Sequence, residues 1–287
     1  ADCLGPVPGI GNFRHTTSIG HFRFLKNLGY RDEFTRTYGQ GGTLFSDLLL
    51  GHGFVLASRS MEGMECVLSR EGLYLYRLPG ARWGLVVPQG ALGLRLDGNA
   101  DVFSNLNALH AALCPSAEGP LYEAVTVRTE MSGPFYRADI PEYPGAVYGF
   151  PQTDTAELRV NGCAVPVMAE AQKTSGGTSR TYNGVLELKR AAVAGETVVE
   201  GRMLRTVETP LLAAAARTPE QDVPVLGKEQ DKYGMEAKGS GGHVEVALNA
   251  GEGEALMVPV VYDRGWRVRR NGMEAPVEKA VSYTHLR

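Results

Sequence analysis

The chain is poor in the residues that would mark a specialised class. Of its 287 residues only 4 are cysteine and 2 tryptophan, aromatic residues make up 8%, and charged residues 21%. Cys3, Cys66, Cys114 and Cys163 stand far apart, with no C-x-x-C pair and no histidine at zinc-ligand spacing, which argues against a structural metal site. Four separate thiols buried as small hydrophobes are the expected state. One or two disulfides stay open, because spacing does not pair them. An excess of one charge is also missing: 29 basic against 32 acidic side chains leave a net charge of -3. That is too neutral for a phosphate-tracking nucleic-acid binder, and 43% hydrophobic content is too high for a disordered chain. Long apolar runs are absent. The longest, Leu48 to Ala57 and Ala255 to Tyr262, cover 10 and 8 residues, against the about 20 that a membrane-crossing helix needs. The stretch in hand is expected to be soluble. It opens ADCLGPVPGIG, with no initiator Met, basic n-region or apolar h-region, and reads as cut from something longer.

What the chain has in plenty is glycine. With 36 Gly and 16 Pro, about 18% of residues are turn formers against an average of about 12%, and no Gly-X-Y period accompanies them. The pattern is that of many turns between short strands. Ser18 to Leu28 repeats apolar residues at three to four and predicts a short helix that Gly29 closes as a C-cap. A polar loop is expected over Tyr38–Thr43, and strands over 54–57, 65–68, 73–77 and 84–88. Asp101 to Leu113 reads as a second helix, with Val102, Leu106, Leu109 and Leu113 on one face. After Pro115 the texture changes. Strand-like alternation recurs over 121–128, 134–140, 146–150, 157–160, 185–188, 197–207, 243–248 and 255–262. Asn161-Gly162 and Asn271-Gly272 predict type I′ hairpins. Thr209 to Arg217, with Pro210 near its start and an alanine run inside, reads as helical. The expected fold is α+β and mostly β: a small α/β layer over 1–115, then an antiparallel, jelly-roll-like β-sandwich over 120–280.

Motifs for self-contained chemistry are weak. GQGGT at Gly39–Thr43 lacks the Lys-Ser/Thr of a P-loop and the spacing of a dinucleotide fingerprint. No G-x-S-x-G elbow occurs, and the six histidines are scattered. Asp97 with Asp101, or Asp139 with Glu142, could be drawn as carboxylate pairs for glycoside hydrolysis, but the separation that matters is spatial. Tyr136, Tyr143, Tyr148, Tyr182, Tyr262 and Trp266 could stack on sugar rings if several were exposed together, with core packing their ordinary use. No cofactor or metal is expected.

The most informative stretch is VYDRGWRVRRNGMEAPV, Val261 to Val277. It resembles the YfhO family of bacterial polytopic membrane proteins, whose outward-facing domain ends in a Tyr-Asp-Lys-Gly-Trp corner and an Asn-Gly or Asp-Gly hairpin. Here those positions are Tyr262, Asp263, Arg264, Gly265 and Trp266, then Asn271 and Gly272. Gly265 would allow the corner and Trp266 would bury a large ring beneath it. Upstream, Leu28-Gly29-Tyr30-Arg31, Gly41-Gly42-Thr43 and Asp47-x-Leu49-Leu50-Gly51 are similar to further family blocks, as are LYLYRLPGARWGLVV and the Phe103…Asn107 helix. His52-Gly53-Phe54 and Arg82-Trp83 depart from the pattern.

The resemblance implies a membrane-helix bundle of the GT-C glycosyltransferase type outside this chain. That part would carry the catalytic carboxylate and transfer sugar from a polyprenyl-phosphate donor to an envelope polymer such as lipoteichoic acid, on the extracytoplasmic side of the bacterial membrane. This region would be non-catalytic, with a structural role or an acceptor-binding one through Tyr30, Tyr38, Thr43 and Asp47. Its partners would be the envelope glycan or lipid-linked sugar, not nucleic acid, with membrane association only through the missing helices. The match stops near Ala280. The tail over 281–287 is expected to be non-native, leaving the sandwich without its last strands. The alternative from another class is a secreted or surface-anchored carbohydrate-binding or adhesion module.

Overall fold

A computed structural model describes residues 12–13, 19–33, 36–57, 64–78, 80, 82, 84–152, 155–165, 173–174, 177–178, 184–190, 194–216, 230–240, 243–261, 265–280 and 283–286. The chain forms two compact units. One comprises Ala1–Thr43, Asp101–Phe103 and Leu121–Asp222, the other Leu44–Ala100, Ser104–Pro120 and Val223–Arg287. The single boundary expected between 115 and 120 is therefore only one of several crossings. Local texture changes at Pro115, but which distant segments pack together is not a local property.

In the first unit α1 (Ile19–Asn27) runs into β2 (Tyr30–Glu33), which pairs antiparallel with β3 (Arg36–Gly41), and β1 (Asn12–Phe13) pairs with β3 on its other side. Gly29 ends the helix at φ +88°, as expected of a C-cap. The glycine-rich stretch read as a loop differs: Tyr38–Gly41 is strand, with Gly41 opposite Tyr30. The cause is a shared acceptor. The Gly29 carbonyl accepts the Gly42 N–H at 2.8 Å and the Val185 N–H at 2.7 Å. Gly41 and Gly184, at φ +92° and +76°, lie so near that a Cβ on either would stand 2.6 Å or 2.8 Å from that oxygen. Both positions need glycine for its conformation and for its size.

The sandwich itself has two antiparallel sheets. One holds β9 (Arg128–Ser132), β10 (Phe135–Ile140), β12 (Thr155–Val160), β13 (Cys163–Ala164) and β17 (Thr197–Met203), ordered β13-β12-β17-β10-β9. The other holds β8 (Tyr122–Ala124), β11 (Val147–Pro151), β16 (Leu186–Lys189) and β18 (Leu211–Ala216), ordered β16-β11-β18-β8. A small hairpin, β14 (Lys173–Thr174) with β15 (Gly177–Thr178), stands apart. Ala138, Ile140, Leu158 and Val199 from the first sheet meet Val147, Leu188, Leu211 and Ala213 from the second in one core. The Asn161-Gly162 turn has φ of +49° and +77°, as a type I′ hairpin requires, and joins β12 to β13.

β18 corrects the helix expected over 209–217. Leu211, Ala213, Ala214, Ala215 and Ala216 are all buried, with β11 on one side and β8 on the other. A strand covered on both faces shows no alternation, so its apolar run is not separable from helix by period. The cysteines correct a second expectation. Cys114 is buried, but Cys66 and Cys163 are exposed at sheet edges, and Cys3 lies outside the described residues.

In the second unit α2 (Leu44–Leu49) precedes the sheet β4-β6-β5, formed by β4 (Phe54–Ala57), β5 (Cys66–Arg70) and β6 (Leu73–Arg77). Tyr76 is buried beneath that sheet, while Phe54, Leu56, Leu68 and Leu73 are exposed. Helix α3 (Val102–Leu113) begins on first-unit residues, Val102 and Phe103, and continues in the second; its N-terminus is capped by Asp101, whose Oδ1 accepts the Phe103 N–H at 2.9 Å. A four-stranded sheet, β24-β25-β21-β7, joins β7 (Leu85–Pro88) and β21 (Glu254–Val261) to β24 (Val277–Ala280) and β25 (Tyr283–Leu286). β25, within the segment read as a non-native tail, thus pairs with two strands. Two hairpins complete the unit: β19 (Glu236–Ser240) with β20 (His243–Ala247), and β22 (Val268–Arg270) with β23 (Met273–Ala275) around Asn271-Gly272. No helix among the described residues is long and apolar enough to cross a membrane.

The free edge of β7 is closed by one side chain. Gln230, 3% exposed, accepts the Val86 N–H at 2.7 Å and donates to the Val86 carbonyl at 2.8 Å, imitating a neighbouring strand. Replacing it, as in Gln230→Leu, leaves both groups buried and unpaired, at a cost of about 2–4 kcal/mol. The expected result is a lower urea midpoint at unchanged slope. Among the glycines, Gly184→Ala is expected to cost more than about 2 kcal/mol. Gly133→Ala, with positive φ but open space around it, is expected to cost clearly less, and paired urea melts compare the two.

Candidate functional site

The residues singled out from sequence are divided between the two units. In the first unit Tyr30 and Thr43 are each 1% exposed, so neither side chain is presented to a ligand. Tyr38 lies in β3. In the second unit Asp47, on α2, is tied to His52, Oδ1 to Nδ1 at 3.0 Å, with about four-fifths of both side chains covered. Tyr262 and Asp263 lie outside the described residues. Gly265 is exposed, and Trp266, expected to bury its ring, is 36% exposed. The β22–β23 hairpin beside it is exposed along most of its length and provides no covering layer. Asp97 accepts the Asn99 N–H at 2.8 Å and Asp101 caps α3, so both have turn and cap roles rather than a paired acid and base role.

Among the described residues a surface depression lies on the outer face of the five-stranded sheet. Strand alternation puts Tyr136, Ala138, Val199 and Leu158 into the core and turns Phe135, Arg137, Glu200, Arg202, Glu157 and Arg159 outward. Register then sets these outward residues in rows. Glu130 lies opposite Arg137, Arg137 opposite Glu200, and Glu200 opposite Arg159. In the next row Ser132 faces Phe135, Phe135 faces Arg202, and Arg202 faces Glu157. Together they line a shallow depression of about 480 Å³.

Its polar groups are matched donor to acceptor. Arg202 donates to Glu157 Oε1 from Nε at 2.9 Å and from Nη2 at 2.8 Å. Arg137 donates to Asp139 at 3.0 Å and lies 3.6 Å from Glu200. Arg159 donates to the Gly162 carbonyl at 3.3 Å. All these side chains are at least a third exposed, and pairs of that kind contribute about 0–1 kcal/mol. The arrangement does little for stability. What it provides is a wet face of guanidinium and carboxylate groups beside Phe135, which is 52% exposed, and Met131, 41% exposed.

Comparison with family models, curated proteins and solved structures gives no match.

The sequence reading missed this face. Of the aromatics it named, Tyr136 and Tyr148 are buried, and Tyr182 lies outside the described residues. Phe135 was not among them. A signal existed: Glu-x-Arg occurs at 157–159 and again at 200–202, and antiparallel pairing sets each Glu of one triplet against the Arg of the other.

Under the depression, the Tyr136 ring fills the space that Gly201 leaves on the inner side, where a Cβ would be 2.4 Å from the ring. The Tyr136 hydroxyl is buried with no hydrogen-bond partner among the described residues. Burial pushes its pKa up to about 12. Unfolded chains therefore ionise first as pH rises through about 10, and native stability falls between there and the folded-state value, by about 2–3 kcal/mol in all. Tyr136→Phe is expected to be neutral or stabilising at neutral pH, since it deletes an unpaired polar group. It is also expected to abolish that alkaline loss, as read by urea unfolding across the alkaline range.

Proposed function

We propose that this chain is the non-catalytic, extracytoplasmic region of a polytopic bacterial membrane glycosyltransferase resembling the YfhO family, and that it holds the envelope glycan acceptor. Sugar transfer from a polyprenyl-phosphate donor belongs, in this reading, to the membrane-embedded part outside this chain. The acceptor is an envelope polymer of the kind that lipoteichoic acid represents, held here through its saccharide part. The observation that carries acceptor holding is the outer sheet face, where an exposed phenyl ring adjoins guanidinium and carboxylate groups in a shallow, open depression. Such a surface suits a ligand with apolar C–H faces and many hydroxyls. Support for the family comes from the ordered sequence blocks, whose glycines at 29, 41 and 42 all have positive φ.

The same face favours a second reading, a free-standing carbohydrate-binding or adhesion module. The sequence upstream in the gene separates the two: a run of membrane spans supports the transferase, a signal peptide alone the module. Within the transferase reading, Phe135→Ala combined with Arg202→Ala in the full-length protein is expected to lower glycan transfer to the envelope polymer several-fold, about 1 kcal/mol or more, at normal expression. Unchanged transfer would remove acceptor binding from this face.

A further inference from the structure

The charge composition of the outer sheet face restricts what it can hold. Its depression is lined by Arg137, Arg159 and Arg202 on one side of the ledger and Glu130, Glu157 and Glu200 on the other. The next row continues the balance, with Arg128 opposite Asp139. Resting on the glycan-binding reading above, we infer that the ligand of this face is an uncharged saccharide chain, and not the phosphodiester backbone of an envelope polymer.

The reason is electrostatic. A surface that attracts a polyanion does so through net positive charge, which steers the ligand from a distance and releases counterions on contact. Here each guanidinium has a carboxylate within its own reach or opposite it in register. A phosphate entering the depression must compete with Glu157 for Arg202, bound at 2.8 Å. It must also come close to Glu130 and Glu200. A hydroxyl avoids that conflict because it donates and accepts at once. Neighbouring hydroxyls of one sugar ring can accept from a guanidinium and donate to the adjoining carboxylate without breaking the balance. Phe135, exposed and directly opposite Arg202, offers its ring to the C–H face of that sugar. Four strands at about 4.8 Å spacing carry these groups over about 14 Å, a length for a short oligosaccharide rather than one ring.

Affinity electrophoresis of the full chain tests this, through gels containing a neutral galactan, a neutral glucan or poly(glycerol phosphate), each at low and high salt. The expected result is retardation by a neutral polysaccharide that salt does not change, weakened about tenfold in Phe135→Ala. Arg202→Gln serves as the second variant. Phe135 is half exposed, so circular dichroism and the melting temperature are expected to show that Phe135→Ala still folds. Retardation by poly(glycerol phosphate) alone, abolished by salt, overturns the inference and leaves acceptor holding intact. Retardation by none of the three overturns acceptor holding as well. Undiminished binding by both variants places the ligand elsewhere and overturns the assignment to this face.

Discussion

Three separate stretches of the first unit meet at one carbonyl oxygen, that of Gly29. It accepts the N–H of Gly42, from the end of the β2–β3 hairpin, and the N–H of Val185, from the approach to β16. Each bond alone contributes about 0.5–1.5 kcal/mol, but the geometry they impose reaches further. Gly41 and Gly184 are pressed so close to the acceptor that no side chain fits at either. Gly29 itself lies against Val185 and Val102. The end of α1, the approach to the sandwich's β16 and Val102 are thereby held to one another. A change at any of these glycines alters contacts that lie more than a hundred residues apart in sequence.

The sandwich built around this point has two unlike sheets. In the four-stranded sheet β11 and β18 are buried along most of both faces, the run of alanines included, and Tyr148 meets Tyr122 and Tyr122 meets Phe103 at centroid distances of 5.5 and 5.8 Å. The five-stranded sheet is covered on one face only, and there the alternation is clean. A half-covered sheet is the kind that can afford a polar outer surface. It is also where register has chemical consequences, because shifting β10 by one residue would turn Arg137 inward and Ala138 outward.

Much of the fold is legible in the residues. The period of 19–28, the Asp101 cap before an apolar face, and the two Asn-Gly turns at positive φ each depend on neighbours within a few positions. The elements they predict are present close to the expected bounds. What escaped depends on partners far away. The alanine strand looks helical until β8 and β11 flank it. The Tyr38–Gly41 strand looks like a loop until its glycines are seen against a backbone oxygen. Trp266 looks like a core residue until the hairpin beside it proves to be exposed. The candidate site falls in the same class. Phe135, Arg202 and Glu157 are unremarkable where they stand, and two Glu-x-Arg triplets have no meaning before their strands are paired.

By itself the sequence determined the local grammar: a chain of short antiparallel strands, two of the helices, the hairpin turns, and a nearly balanced net charge. These follow from φ preferences, side-chain periodicity and net charge, which are properties of neighbouring residues. The tertiary structure decided which segments belong to the same unit, which strands are buried on both faces, and which side chains form a single surface. Those depend on register and on burial, and both are set by contacts between residues that are distant in the chain.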